Sequence, residues 1–291
     1  MTGALLNGVL LGMLYGGVAL GLALVAGVMR LPNLAHSELL IGAAFLIGAL
    51  QDRLGWDPLL CAALVAPVMF AIAYPVQRMV LTPTMLRGFE PPLVAAFGIS
   101  MTVQTLLVIA FSSNPRSLQA SYSTTGFELI GVTVRAVMVV SVAVTLVLAL
   151  VLFILIYRTS FGRELRAAAE DPATASAMGV NVAHIYGITL GLSAIVATFG
   201  GGLIGTAFSF APLTGLAWLL RAFTVAVIGG LGSIEGALLG GVLLGIAEEL
   251  GGLWIGPQYR DVVAFAALVL VLVLRPAGLL AGRGWSKAAA T

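Results

Sequence analysis

The sequence predicts an all-α, polytopic bundle of about eight or nine membrane-crossing helices, and three observations carry that expectation. Hydrophobic residues make up 60% of the chain and charged residues only 9%, far below the roughly 25% charged share of soluble domains. Apolar runs approaching the roughly 20 residues needed to cross about 30 Å of hydrocarbon recur along its length. One polar segment, YRTSFGRELRAAAEDPATASAMGVNVAH from Tyr157 to His184, interrupts them, and a hydrophilic island of that size has to sit outside the lipid.

Counting apolar runs in order gives spans near Ala4–Met29, Glu38–Leu50, Leu59–Tyr74, Pro91–Ser112, Ala136–Ile156, His184–Phe208, Leu216–Gly230, Glu235–Leu250 and Asp261–Leu274. Arg30 is the first charged side chain. With no basic stretch before it, the first run is expected to stay in the mature protein rather than act as a cleaved signal. Glu38–Leu50, Leu216–Gly230 and Glu235–Leu250 hold only 13 to 16 residues and reach about 20–24 Å as helices. Such pieces read either as broken helices lining a cavity or as spans met by bilayer thinning and tilt.

Short cytoplasmic loops carry an excess of Lys and Arg. Placing Arg30, Arg78, Arg87, Arg158, Arg163, Arg166, Arg275, Arg283 and Lys287 inside leaves Arg53, Arg116, Arg135, Arg221 and Arg260 outside. Nine against five predicts an external N-terminus, a cytoplasmic C-terminus, and a Ser113–Arg135 connection open to the outer face.

Glycine supplies 36 residues, with Gly8, Gly12 and Gly16 on one helix face and Gly236, Gly240, Gly241 and Gly245 in a second run. Small residues at that spacing let helix backbones approach closely in lipid. The lone cysteine, Cys61, excludes an internal disulfide and reads as a small core residue. A net charge of +2 gives no case for nucleic acid.

The polar island reads as two short helices. Ser160 can cap the first; Asp171 followed by Pro172 is a strong start for the second, and Gly179 is a natural stop. A helix of two turns is marginal in water and has to dock on something, a partner or its own bundle. Asn33, His36, Ser37 and Glu38 cluster after Pro32. They are open to two readings, groups facing a pathway at membrane depth or a helix-start anchor at the surface. A His–Glu metal site is not expected, since a spacing of two puts the side chains on different helix faces and no third ligand is near. Glu248 and Glu249, close in sequence to Arg260 and Asp261, read as surface ion pairs.

Three blocks carry a family resemblance. NGVLLGMLYGGVALGLALVAGVMRLPNLAHSELLIGAAF, RAAAEDPATASAMGVNVAHIYGITLGLSAIVATFGGGLIG and AFTVAVIGGLGSIEGALLGGVLLGIAEEL resemble, in the order of the chain, segments of the membrane permeases of ABC transporters for branched-chain amino acids. The resemblance implies one permease domain over residues 1–291, with a cytoplasmic coupling loop at about 157–183. It implies a second permease, sister or identical, two cytoplasmic P-loop ATPase subunits and an extracytoplasmic solute-binding protein as partners in the inner membrane. Arg163, Arg166, Glu170, Asp171, Ala175, Gly179 and Asn181 then belong to the coupling loop. Asn33, His36, Ser37 and Glu38, with the Gly229, Gly230, Gly232 and Ser233 hairpin, are candidates for the pathway or its gate. Ser37 stands where the family usually has Gly, which puts a close backbone approach there in doubt.

ATP chemistry is expected to be delegated. No G-x-x-x-x-G-K-[ST] string occurs and the only lysine is Lys287, so ATP and Mg would be bound by the partner ATPases and the chain itself needs no cofactor. H-E-x-x-H and G-x-S-x-G are also missing, and His36 and His184 are the only histidines, so an enzyme is not expected. Two alternatives remain at this stage. One is a permease of the same type for urea or short amides; the other is an ion-coupled secondary transporter, disfavoured because the Ala136–Ile156 and His184–Phe208 spans hold no ionisable relay.

Overall fold

The computed structural model describes residues 1–129, 131–275 and 278; Arg283 and Lys287 lie outside the described residues. The chain runs α1 (Thr2–Met29), α2 (His36–Leu54), α3 (Pro58–Val76), a π-helical turn (Gln77–Leu81), α4 (Thr82–Met85) and α5 (Glu90–Phe111). A two-stranded hairpin follows, β1 (Gly126–Leu129) and β2 (Val132–Arg135), then α6 (Ala136–Arg158), α7 (Ser160–Glu170), α8 (Pro172–Ala177) and α9 (Val182–Ala207). After a 3₁₀ turn (Pro212–Thr214) come α10 (Gly215–Gly229), α11 (Ile234–Trp254), a second 3₁₀ turn (Pro257–Tyr259) and α12 (Arg260–Leu274). Among the described residues, eight helical segments are long and apolar enough to cross a membrane. The ninth long helix, α2, carries His36, Glu38, Asp52 and Arg53 at its ends.

Helices α1 and α9 form the centre. Both are apolar on all sides and buried along most of their length, as expected of helices surrounded by others. Outermost are α5 and α12, whose apolar side chains point away from the bundle. Glycine fixes the closest helix pair. Gly8, Gly12 and Gly16 of α1 meet the backbone of α11 at Gly245–Ile246, Gly241–Val242 and Ala237–Leu238, so the two glycine-rich segments of the sequence pack on each other.

Two of the three segments read as short are longer than their apolar cores. Helix α2 gains a turn beyond Leu50 and α11 runs on to Trp254, whereas α10 stays at 15 residues. Helix α3 passes through the π turn after Pro75, and the buried Gln77 amide donates to Thr82 Oγ1 at 3.2 Å. Within Ser113–Arg135, the antiparallel hairpin pairs Phe127 with Val134 and Glu128 with Thr133.

Candidate functional site

Polar groups gather in three places. The first is the start of α2. Arg30–Ala35 leaves α1 and turns back into the bundle, so α2 begins beside Val18 of α1, about 16 Å from the Met29 end at 1.5 Å per residue. His36 Nε2 donates to the Val18 carbonyl at 3.2 Å, which leaves Nδ1 facing the Ser193 hydroxyl of α9 at 3.4 Å. Asn33 Oδ1 accepts from the Ala35 amide at 3.0 Å and shapes the turn. Glu38 Oε1 accepts from Ser100 of α5 at 3.1 Å and from Ser37 at 3.3 Å, while Oε2 is buried with no partner among the described residues. Asn33, His36, Ser37 and Glu38 are all buried. The cluster therefore lies inside the bundle near half depth, and the surface-anchor reading is set aside. Ser37 packs at the start of α10, where the close approach is supplied by Gly215: a Cβ there would lie 3.1 Å from Glu38 Oε1.

The second place was misread from sequence. Glu248 is 1% exposed, not on the surface. Tyr15 Oη of α1 donates to its Oε2 at 2.6 Å, and Arg221 Nε lies 3.4 Å from Oε1. Arg221 belongs to α10 rather than to an outer loop; its guanidinium also pairs with Asp261 and lies 5.5 Å over the Trp218 ring. Only Arg260 and Glu249 form the outer pair anticipated, at 2.9 Å. Acidic and basic side chains thus do occupy the interior, on α2, α10 and α11, and none is buried on the two spans whose apolar sequence spoke against a relay. With Arg221 removed from the loop tally and Arg283 and Lys287 outside the described residues, seven basic residues gather at the α7–α8 end and four at the hairpin end.

The third place is the polar island. Thr159, not Ser160, caps α7, accepting from the Gly162 amide at 3.1 Å. Ser160 is already the first helical residue. Gly162 admits no side chain because a Cβ would run into the Ile156 carbonyl, to which Arg166 also donates. Arg166 stacks over Tyr157 at 5.6 Å and Arg30 donates to the Glu170 carbonyl at 3.0 Å, so α7 is tied to the ends of α6 and α1. Arg163 and Glu170 are exposed. Asp171 caps α8 through the Ala173 amide at 3.0 Å, the Thr174 amide at 3.1 Å and the Thr174 hydroxyl at 2.5 Å. Gly179, with φ at +91°, ends it. Asn181 then caps α9 through the His184 amide at 3.0 Å. Ala175 alone of α8 is buried, and its other face is open, with Met178 just beyond at 82% exposure. Beside it is a cavity of about 520 Å³ lined by Met29, Arg30, Met85, Phe89, Pro172 and Tyr186.

The Thr174 hydroxyl and amide and the Ala173 amide hold the Asp171 carboxyl below its ordinary value of 3.8. The sign follows from linkage: a carboxyl lowered on folding strengthens α8 above its unfolded value, and that contribution fades as pH falls through the lowered folded value. Amide exchange at Ala173 and Thr174, corrected for intrinsic rate, is expected to stay protected from neutral pH down to about pH 4 and to lose protection below it. Protection unchanged at lower pH would show the carboxylate is not what holds the cap.

The Gly229–Ser233 hairpin is not brought to the α2 cluster. It lies at the α7–α8 end, with Gly229 against the Gly236 backbone, Gly232 (φ +86°) against Gly27, and Ser233 capping α11 through the Gly236 amide at 2.9 Å. Val18 and Gly27, which mark the two places on α1, are about 13 Å apart along the helix.

A bundle of long apolar helices, with a polar cluster at half depth and an exposed capped helix at its more basic end, has the architecture of a multi-pass membrane protein. The family described as "Branched-chain amino acid transport system / permease component" matches residues 4–272, and the chain belongs to it. It is 35% identical to the high-affinity branched-chain amino acid transport system permease protein BraD of Pseudomonas aeruginosa, over 95% of this chain and 94% of that one. Identity to the LivH permease protein of the corresponding Escherichia coli system is 34%, over 94% and 93%. A probable LivH of Methanocaldococcus jannaschii is 28% identical over 93% and 89%.

Proposed function

We propose that this chain is the membrane-spanning permease subunit of an ATP-driven ABC importer, and that it forms the passage for branched-chain amino acids delivered by an extracytoplasmic solute-binding protein. Full-length relatives named for that transport system support the substrate class. The observation that carries the mechanism is α8, a two-turn helix capped at both ends and presented at the more basic end of the bundle. Two P-loop ATPases would grip it there, with ATP and Mg in their own sites, and a second permease, identical or sister, would complete the passage. Closure of the ATPases on α8 pushes α7, which Arg166 and Arg30 tie to α6 and α1, and so rocks the central helices between two access states. Asn33, His36, Ser37 and Glu38 lie on the passage, and the Gly229–Ser233 hairpin is a pivot for α10 and α11. This reading puts the N-terminus outside and the C-terminus in the cytoplasm.

The test is uptake into proteoliposomes holding the permease, ATPases and binding protein. Wild type is expected to accumulate L-leucine only with ATP. Gly179→Val, which forces a β-branched side chain into the left-handed region, is expected to insert normally and cut uptake by about tenfold or more. Because Cys61 is buried, Met178→Cys offers a single accessible thiol, and an impermeant maleimide should reach it from the ATPase side alone. Labelling from the opposite side, or leucine uptake without ATPases, would remove the reading.

A further inference from the structure

Two helices begin inside the bundle at the same point. Helix α2 starts after the chain turns back at Arg30–Ala35, and α10 starts after Phe208–Ala211 leaves α9. Neither α-helix has a side chain capping its own first amides, although α10 continues from the 3₁₀ turn Pro212–Thr214, whose Thr214 hydroxyl bonds Ala211, and both helices present the positive end of their dipole to the space between them. Glu38 lies there. It is 4% exposed, its Oε1 is satisfied by two hydroxyls and lies where a side chain on Gly215 would come within 3.1 Å of it, and its Oε2 is sealed from solvent with no hydrogen bond among the described residues. A buried carboxylate oxygen without a partner is costly, and an ionisable group at membrane depth calls for the partner it serves.

The surroundings define that partner's chemistry. A carboxylate oxygen without a donor calls for a cationic donor; two uncapped helix starts beside it call for an anion. A ligand meeting both within a few ångströms carries ammonium and carboxylate on neighbouring atoms. We propose that Glu38 Oε2 receives the α-ammonium of the transported amino acid at half depth, with its α-carboxylate held at the starts of α2 and α10. The inference rests on the function proposed above and adds the place where substrate is held inside the permease. Ser100, from the outward-facing α5, holds Oε1 and aims Oε2; Gly215 leaves room because it has no side chain. In the conformation described here the place is closed, so binding requires α10 or α5 to move away from Glu38.

The test is binding of radiolabelled L-leucine to the assembled permease–ATPase complex in nanodiscs without binding protein, with competition by analogues. 4-Methylpentanoate, which lacks the ammonium, is expected to compete at least about 100-fold more weakly than leucine, because a buried acceptor would be left unpaired. Glu38→Gln is expected to weaken leucine binding by about 30-fold or more, with Glu38→Asp falling between. Competition by 4-methylpentanoate equal to leucine overturns the proposal, and it needs no variant that could misfold. So does wild-type leucine affinity in an assembled Glu38→Gln complex. If wild type shows ATP-driven leucine uptake while either result appears, the inside site fails and the importer reading stands; if wild type shows no uptake, both fall.

Discussion

Replacing Gly12 with valine is expected to lower the unfolding midpoint of the protein sharply, while Gly42→Ala and Gly98→Ala, in helix interiors with free space, do not lower it. A Cβ at Gly12 would lie against the Gly241 carbonyl and the Val242 Cα, which are backbone and cannot rotate away. Nor can the helices separate locally, because Gly8 and Gly16 hold α1 on Ile246 and Leu238 one turn to either side. The contact is reciprocal: Gly241 abuts the backbone of Gly12 and Gly16, and Gly245 that of Gly8 and Gly12. Overpacking a close-packed interface costs about 1–3 kcal/mol even where side chains can yield. With backbone on both sides the loss should lie at or above the top of that range, a fall of roughly 10 °C in the unfolding midpoint. A Cβ at Gly42 or Gly98 would meet nothing within 4 Å. Thermal unfolding of the detergent-solubilised protein measures all three, and a Gly12→Val midpoint equal to wild type would mean that α1 and α11 are not in backbone contact.

That interface shows how far a sequence of this kind can be read. Glycine every fourth residue announces a groove, because the pattern is local. It does not say which groove fits into it, and the partner here lies more than two hundred residues away. The same holds for the island: Asp171–Pro172 and Gly179 mark the start and stop of α8 because capping chemistry is local, whereas Thr159 and Ser160 offer the same hydroxyl and only backbone geometry chooses between them. Helix α2 was cut short at its C-terminal end because Gln51, Asp52 and Arg53 end the apolar run before the helix ends. The hairpin has a visible signal, the alternation of Phe127, Leu129, Val132 and Val134 about a glycine, but strands of four residues are too short to stand out among the long apolar helical runs. The depth of the α2 cluster was not legible, since a 28-residue first helix leaves open whether the chain after it stays at the surface or turns back inside.

The pair hidden most completely in the sequence carries the second large effect. Arg221→Met is expected to destabilise the protein by about 3 kcal/mol or more, because Glu248 is then left inside the bundle without its cation and with only the Tyr15 hydroxyl to answer it. Glu248→Gln should be milder: the amide oxygen still accepts from Tyr15, and Arg221 retains Asp261. The double variant, Arg221→Met with Glu248→Gln, leaves no unpaired charge at Glu248 and should be more stable than the sum of the single losses by about 1 kcal/mol or more. A double-mutant cycle on unfolding in detergent reads this directly, and strict additivity would mean the two side chains act independently. Function should follow stability. Tyr15, Arg221, Glu248 and Asp261 tie α1, α10, α11 and α12 together, and Arg221 stands six residues, under two turns, from Gly215, where α10 rests on Glu38. Loosening the pair therefore frees the helix whose start closes over the half-depth carboxylate. In a transporter assembled with ATPases as proposed above, Arg221→Met should raise ATP hydrolysis in the absence of substrate, since α10 would then move more readily; hydrolysis unchanged in a correctly assembled variant would restrict the network to holding the fold.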